Sequence, residues 1–494
     1  MDNLSEKVQK KPWIGWLLFL ATLVIVFSLG LLSSSITERR LEATLVTQPN
    51  PIEGIEARNG VWEPYYPREY QSWKETSKQD FVSKYNGNMN RDMLEEDPNL
   101  VVLWAGYGFS KDYNAPKGHS YAVEDIRQTL RTGGPKDEND GPMPATCWTC
   151  KSPDVPRLMN EIGVEEFYKG KWAGKGHEIV NPIGCADCHD PETMNLQITR
   201  PALVEAFERQ GKDISQASHQ EMRSLTCAQC HVEYYFKGKG KYLTFPWDKG
   251  TKVEDMEAYY DEIEFSDWTH KLSRTPMIKA QHPGYEVWQL GIHGQRGVSC
   301  ADCHMPYKSE GGQKFTDHRI QSPLNNIANS CQVCHRESEK ELIKNVYERQ
   351  DAIMENRAKL ERELVKAHIE AKFAWDKGAT EAQMKEVLRN IRHAQWRWDF
   401  AVASHGGSFH APVETARIIT SALDKAYQAR LGLTRVLIEL GYNQEVPMPD
   451  LTNKELAQEY IGLDMEKLHT EKEEFLHTIV PEWLETAKAR EASF

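Results

Sequence analysis

The sequence predicts a mainly α fold with few strands, long C-terminal helices and a central region too poor in polypeptide to fill its own core. Two observations carry that prediction. Beyond Glu337, apolar residues such as Leu342, Val346, Ile353, Leu360 and Leu364 recur near helical spacing, in stretches punctuated by glycine and proline. Between Cys147 and His335, 189 residues hold all ten cysteines of the chain, arranged as five Cys-x-x-Cys pairs. A length of 494 residues suggests roughly three domains, but that rule assumes cores built from side chains.

In chain order, residues 1–11 are a basic start with Lys7, Lys10 and Lys11, and residues 12–37 are an uncharged run whose apolar heart is Trp13 to Leu32. A spanning helix takes about 20 apolar residues, whereas a cleavable signal has an apolar centre of about 7 to 15, so the length favours an anchor. The alternative is a long signal peptide cut near Ser33 to Ser35, although no A-x-A-like site is present. Lysines on the short N-terminal side send everything after Ser35 across the membrane. Either way the working part is exported. Residues 38–118 mix proline, glycine and aromatic residues with little periodicity and read as irregular. A formal net charge of -13, with 40 % hydrophobic and 27 % charged residues, is a globular balance and argues against a nucleic-acid partner.

The pairs are Cys147/Cys150, Cys185/Cys188, Cys227/Cys230, Cys300/Cys303 and Cys331/Cys334, and the next residue in four of them is a histidine: His189, His231, His304 and His335. Cys-x-x-Cys-His is the signature of covalent haem c attachment. The two thiols add to the haem vinyl groups, and the adjacent histidine is held beneath the iron as axial ligand. Thiols two residues apart are poorly placed for structural disulfides, and zinc ribbons need no histidine after each pair. Five haems in 189 residues leave about 38 residues each, too few to enclose each one separately. The expectation is therefore a closely packed haem core spanning residues 119–337.

The first pair departs from the pattern, because Lys151 follows Cys150. A neutral lysine amine can ligate iron. Two other readings stay open on chemistry alone: a redox dithiol, or a solvated Lys151 with the ligand supplied elsewhere.

The run Cys147 to Lys151 followed by four Cys-x-x-Cys-His motifs resembles the pentahaem cytochrome c nitrite reductases, which form ammonia. The resemblance extends from about Val61 to the C-terminus. It includes Asp125-Ile126-Arg127-Gln128-Thr129-Leu130-Arg131, Cys230-His231-Val232-Glu233-Tyr234-Tyr235-Phe236 and Lys279-Ala280-Gln281-His282-Pro283. It implies Lys151 as proximal ligand of the catalytic haem, with Arg131, Tyr234 and His282 lining the distal pocket. It implies one calcium ion held by the Glu233 carboxylate, the Gln281 side-chain oxygen and the carbonyls of Tyr234 and Lys279. It also assigns the distal histidines: His318 to the second haem, His119 to the third, His410 to the fourth and His293 to the fifth. Among the 17 histidines, His219, His270 and His405 are the closest competitors for those places.

The residues support the same site independently. Successive motifs begin 38, 42, 73 and 31 residues apart, and the long third interval contains Glu233, Tyr234, Gln281 and His282. An ordinary surface insertion is the alternative reading of that interval. One carboxylate, one amide and main-chain carbonyls suit a calcium ion, which takes about six to eight oxygens. Nitrite reduction to ammonium consumes six electrons and eight protons. Arginine stays charged, histidine moves protons near neutral pH and tyrosine hydrogen-bonds intermediates.

Beyond residue 337 the expected helices are Ser338 to Asp376, Thr380 to Ser404, Pro412 to Gly441 and Asn453 to Arg490. The resemblance makes residues 338–494 a homodimer interface and a quinol-oxidising multihaem membrane cytochrome the electron donor. It places the protein on the periplasmic side of the inner membrane. Hydroxylamine and nitric oxide are expected to be turned over as intermediates, and the resemblance implies sulfite reduction as a side activity. Two other classes compete: a pure electron-transfer cytochrome with every iron six-coordinate, and a related multihaem reductase or oxidase of another small nitrogen or sulfur compound.

Overall fold

The structure is a computed structural model that describes residues 8–44, 52 and 54–493. Residues 1–7 of the expected basic start, and residues 45–51 and 53 of the expected irregular region, lie outside the described residues. The chain divides into two compact units, residues 1–51 with 308–315 and residues 52–307 with 316–494. The first contains helix α1 (Pro12–Thr44). Its segment Pro12–Thr37 is long and apolar enough to cross a membrane, with Trp16, Phe27 and Leu29 exposed along it.

The second unit is helical with minor strands, as expected. Helix α2 (Ala122–Gln128) precedes the first cysteine motif, and α3 (Asp154–Ile162), α4 (Pro201–Arg209) and α5 (His219–Ala228) run between and into the motifs that follow. Two-stranded sheets β1 (Tyr235–Lys237) with β2 (Tyr242–Thr244) and β3 (Trp268–Thr269) with β4 (Pro276–Met277) fall inside the long third interval. Local capping explains where the motif helices start. Ser218 accepts from the Glu221 amide while Glu221 accepts from the Ser218 amide, opening α5. Residues Cys185–Cys188 and Cys300–His304 are single helical turns in which Asp187 and Asp302 cap the preceding amides at 2.9 and 2.8 Å. One turn places both thiols of a pair on neighbouring positions.

The C-terminal part is built from α6 (Glu339–Asp376), α7 (Glu381–Ala403) and α8 (Pro412–Glu439). Ala367, Ala371, Ala374 and Ala429 allow close approach of these helices, and Met384, Val387, Ile391, Leu433 and Val436 fill the space between them. One expectation fails. Instead of a single helix from Asn453 to Arg490 there are two, Lys454–Tyr460 and α9 (Met465–Glu491). The chain turns at Gly462, whose φ of 69° is costly for other residues, and Asp464 then caps the Lys467 amide at 3.0 Å. The Pro412 helix ends at Glu439, two residues early, before Gly441 at φ 79°.

Helix α6 joins the rest through a buried polar cluster. The rings of His270 and His368 stack at 3.6 Å, His270 Nε2 bonds the Val102 carbonyl at 2.8 Å, and His368 Nε2 bonds Gln395 Oε1 at 2.7 Å. Gln395 in turn donates to the Leu103 carbonyl at 2.6 Å. His270 is thus committed to the core.

Candidate active site

None of the ten cysteines is in a disulfide. The five motifs pack against one another: the thiols of Cys150 and Cys230 interact directly, as do those of Cys227 and Cys300, and Cys303 lies beside Cys331 and Cys334. Main-chain bonds reinforce this, with the Cys300 amide donating to Ser224 Oγ and Ser330 Oγ donating to the Cys303 carbonyl.

Two imidazoles on opposite faces of one metal ion, each bonded at about 2 Å with its nitrogen about 1.1 Å from the ring centre, have centroids about 6 Å apart. The motif histidines fit that spacing. His189 faces His318 at 6.1 Å, His231 faces His119 at 6.3 Å, His304 faces His410 at 6.2 Å and His335 faces His293 at 6.2 Å. His189 Nδ1 is oriented by the Met194 carbonyl at 3.0 Å and His304 Nδ1 by the Gln321 carbonyl at 2.8 Å, which directs the other ring nitrogen away. Burial holds His189 and His231 at about 4 and His410 at about 3. His231 has a second neighbour, His282, at 6.4 Å, so ring spacing by itself leaves both across the third motif. Of the competitors, His219 opens α5 and His405 stacks on His282 at 5.9 Å.

Around the first motif the predicted distal residues converge. Burial pushes the Cys147 thiol up to about 12, against the pull of Lys151 and Arg131 beside it. Arg131 Nε donates to Thr129 Oγ1 at 3.1 Å, and its guanidinium lies 4.2 Å from the Phe109 ring centre. Asp112 Oδ2 accepts from Thr129 Oγ1 and from the Leu130 amide, fixing the turn that carries Arg131. Tyr234 stacks on Phe236 and lies 6.5 Å from His282; burial, with the Cys150 and Cys147 thiols, keeps its phenol protonated far above the ordinary range. Burial, then His405 and Lys151, hold His282 well below its ordinary value.

The four calcium candidates also meet. Glu233 Oε2 accepts the Gln281 amide at 2.6 Å, and the Gln281 side-chain amide reaches the Lys279 carbonyl at 3.1 Å; Tyr234 follows Glu233 directly. Burial raises the Glu233 carboxyl well above its usual range, and Glu286 beside it is raised to about 8 with Oε2 lacking a hydrogen-bond partner. A hard cation among these oxygens offsets that buried negative charge, so the donor set fits calcium.

Sequence reasoning missed several neighbours. Tyr107, stacked on Trp268 at 4.6 Å and close to Arg131, comes from the irregular N-terminal region, and nothing in its local pattern marks it. Asp399 on α7 pairs with Lys279 Nζ at 2.7 Å across a wide gap in sequence.

Helical fold, clustered motifs and opposed imidazoles define a multihaem c-type cytochrome, an oxidoreductase. The profile of the cytochrome c552 family matches residues 59–491, and the chain belongs to that family. It is 66 % identical over 480 residues to cytochrome c-552 of Parabacteroides distasonis, covering 97 % of each chain, and 60 % identical over 493 residues to that of Porphyromonas gingivalis, covering 99 % of each. It superposes on the solved cytochrome c nitrite reductase of Desulfovibrio desulfuricans, whose catalytic subunit is described with two calcium sites. The TM-score is 0.73 at 30 % identity, over 84 % of this chain and 90 % of that one. The resemblance read from the motifs is borne out by these relationships.

Proposed function

We propose that this nitrite reductase carries nitrite through six electrons to ammonium at a haem c attached through Cys147 and Cys150, with Lys151 as its proximal ligand. The observation that carries the reading is a division among the motifs. Four end in a histidine that already faces another imidazole, whereas the first ends in Lys151 and is met by Arg131, Tyr234 and His282. The histidine pairs are assigned as axial ligands of four electron-relaying haems, with His119 opposite His231 so that His282 is kept for substrate.

When bound, the first haem supplies an open iron for the nitrite nitrogen and the path by which electrons arrive. Arg131 supplies a permanent positive charge for the nitrite oxygens, aimed by Thr129 and Phe109. His282 is kept neutral by its buried setting; the negative charge of an entering anion favours the imidazolium, so the imidazole can take up a proton for transfer. Tyr234, kept protonated, donates a hydrogen bond to the departing oxygen. Calcium held by Glu233, Gln281 and the carbonyls of Tyr234 and Lys279 would lock the two segments bearing Tyr234 and His282 and add positive potential for an incoming anion.

Helix α1 anchors the enzyme with its working part on the periplasmic side of the inner membrane, and a quinol-oxidising multihaem membrane cytochrome delivers electrons. On α8, Tyr427, Leu431 and Ile438 are exposed apolar residues on one helix face, with Val413 further along it, which supports a homodimer. The test is the purified holoprotein: ammonium from nitrite with a dithionite-reduced dye, and a ferric high-spin signal that changes when nitrite is added. Five low-spin irons and no ammonium would leave only an electron carrier.

A further inference from the structure

The second intervening residue of each of the first three motifs, Thr149, Asp187 and Gln229, points to one place in the fold, the Thr199–Arg200 step at the start of α4. Arg200 is 1 % exposed, and all three nitrogens of its guanidinium donate hydrogen bonds. Nε donates to the Thr149 carbonyl at 2.8 Å, Nη2 to the Ser152 carbonyl at 2.8 Å and to Asp187 Oδ1 at 2.6 Å, and Nη1 to Thr199 Oγ1 at 2.6 Å. Gln229 closes the set. Its Oε1 accepts the Arg200 amide at 3.1 Å and the Thr199 amide at 2.9 Å, and its Nε2 donates to the Asp187 carbonyl at 2.9 Å.

Thr149 and Ser152 bracket Cys150 and Lys151, so one planar cation grips the main chain on both sides of the residue that departs from the haem signature. A guanidinium fork fixes two carbonyls and a carboxylate in one plane, which a lysine ammonium cannot do. The fourth motif has a separate holder: Arg223 Nη2 donates to Asp302 Oδ1 at 3.1 Å. In the fifth motif the corresponding residue, Val333, is exposed. The clamp is therefore specific to the three motifs that meet around Lys151.

We propose that Arg200 is a positioning residue: it sets the path of the Lys151 backbone, and so the lysine's approach to the first haem, in register with the second and third motifs. The proposal rests on the assignment of Lys151 as proximal ligand.

Arg200→Lys and Arg200→Gln in the full holoprotein test it, with haem content by mass, the ferric high-spin spectrum, and the midpoint potential of that centre. The expected result is five haems retained, a diminished or split high-spin signal, a shifted potential, and kcat lower by about tenfold or more with KM little changed. Five haems with a wild-type high-spin signal and potential in both variants would overturn it, leaving Arg200 a packing residue. If both variants fail to assemble, Asp187→Asn loosens the same guanidinium without emptying its place. There a weaker change in the same direction supports the proposal, and an unchanged signal and potential overturn it. A wild-type protein with no nitrite-responsive high-spin signal would instead defeat the Lys151 assignment itself.

Discussion

Lys151 and His282 differ from the other residues around them in what they must do, and substitution separates those tasks. Lys151→His leaves both thiols of the first motif in place, so haem content should stay at wild type while nitrite turnover falls by about tenfold or more, because the axial ligand tunes the iron. Unchanged turnover would remove Lys151 from the mechanism. His282→Asn keeps a hydrogen-bonding group without a titrating proton, and ammonium formation should drop more than nitrite affinity. Equal losses would point to misfolding. Calcium makes a third residue-scale prediction. Chelation should depress activity, recoverable with calcium better than with magnesium, since one carboxylate, an amide and carbonyls suit the larger and more flexible ion. Glu233→Gln should make the enzyme need added calcium at higher concentration.

Between elements, the turn that carries Arg131 is set by α9. Lys472 Nζ donates to the Arg127 carbonyl and to Thr132 Oγ1, both at 3.0 Å, and a Cβ on Gly134 would come within 2.1 Å of the Glu471 carbonyl. Backbone cannot yield there as a flexible side chain could. Gly134→Ala should therefore lower the melting temperature by the equivalent of about 1–3 kcal/mol and raise KM for nitrite, because it pushes the Arg131 turn off its support. The His270–His368 cluster gives the element scale its pH dependence. His368 is held at about 4 by burial, below the ordinary 6.5, so its neutral form contributes stability above pH 6.5 that is lost as pH falls towards 4. Protonation of His368 would place a charge 3.6 Å from the buried His270 ring, between α6 and the 270–275 turn. Melting followed from pH 7 to pH 4 should show a fall that His368→Gln flattens.

At the scale of the whole molecule, the exposed apolar residues on α8 predict assembly. The holoprotein without α1 should sediment as a dimer, and Leu431→Glu with Ile438→Glu should give a monomer with wild-type haem content. A wild-type monomer in dilute solution would remove the interface from α8. Much of this architecture was legible beforehand because its signals are local. A Cys-x-x-Cys-His run is a covalent requirement, and apolar residues at helical spacing announced α6, α7 and α8 to within about two residues, the usual margin for helix ends. The Asn453 to Arg490 stretch was misread because Gly462 and Asp464 end and restart a helix without interrupting its apolar spacing.

By itself the sequence determined that the chain carries five Cys-x-x-Cys pairs, four followed by histidine and one by lysine, and that long helices follow, since each of these depends on residues within a few positions of one another. How Tyr107 comes to stand by Arg131, Asp399 by Lys279 and His405 by His282, and that Arg200 clasps three motifs at once, were decided only by tertiary structure. Those groups are brought together from separate segments of the chain, and their meeting is an outcome of packing that no spacing along the chain encodes.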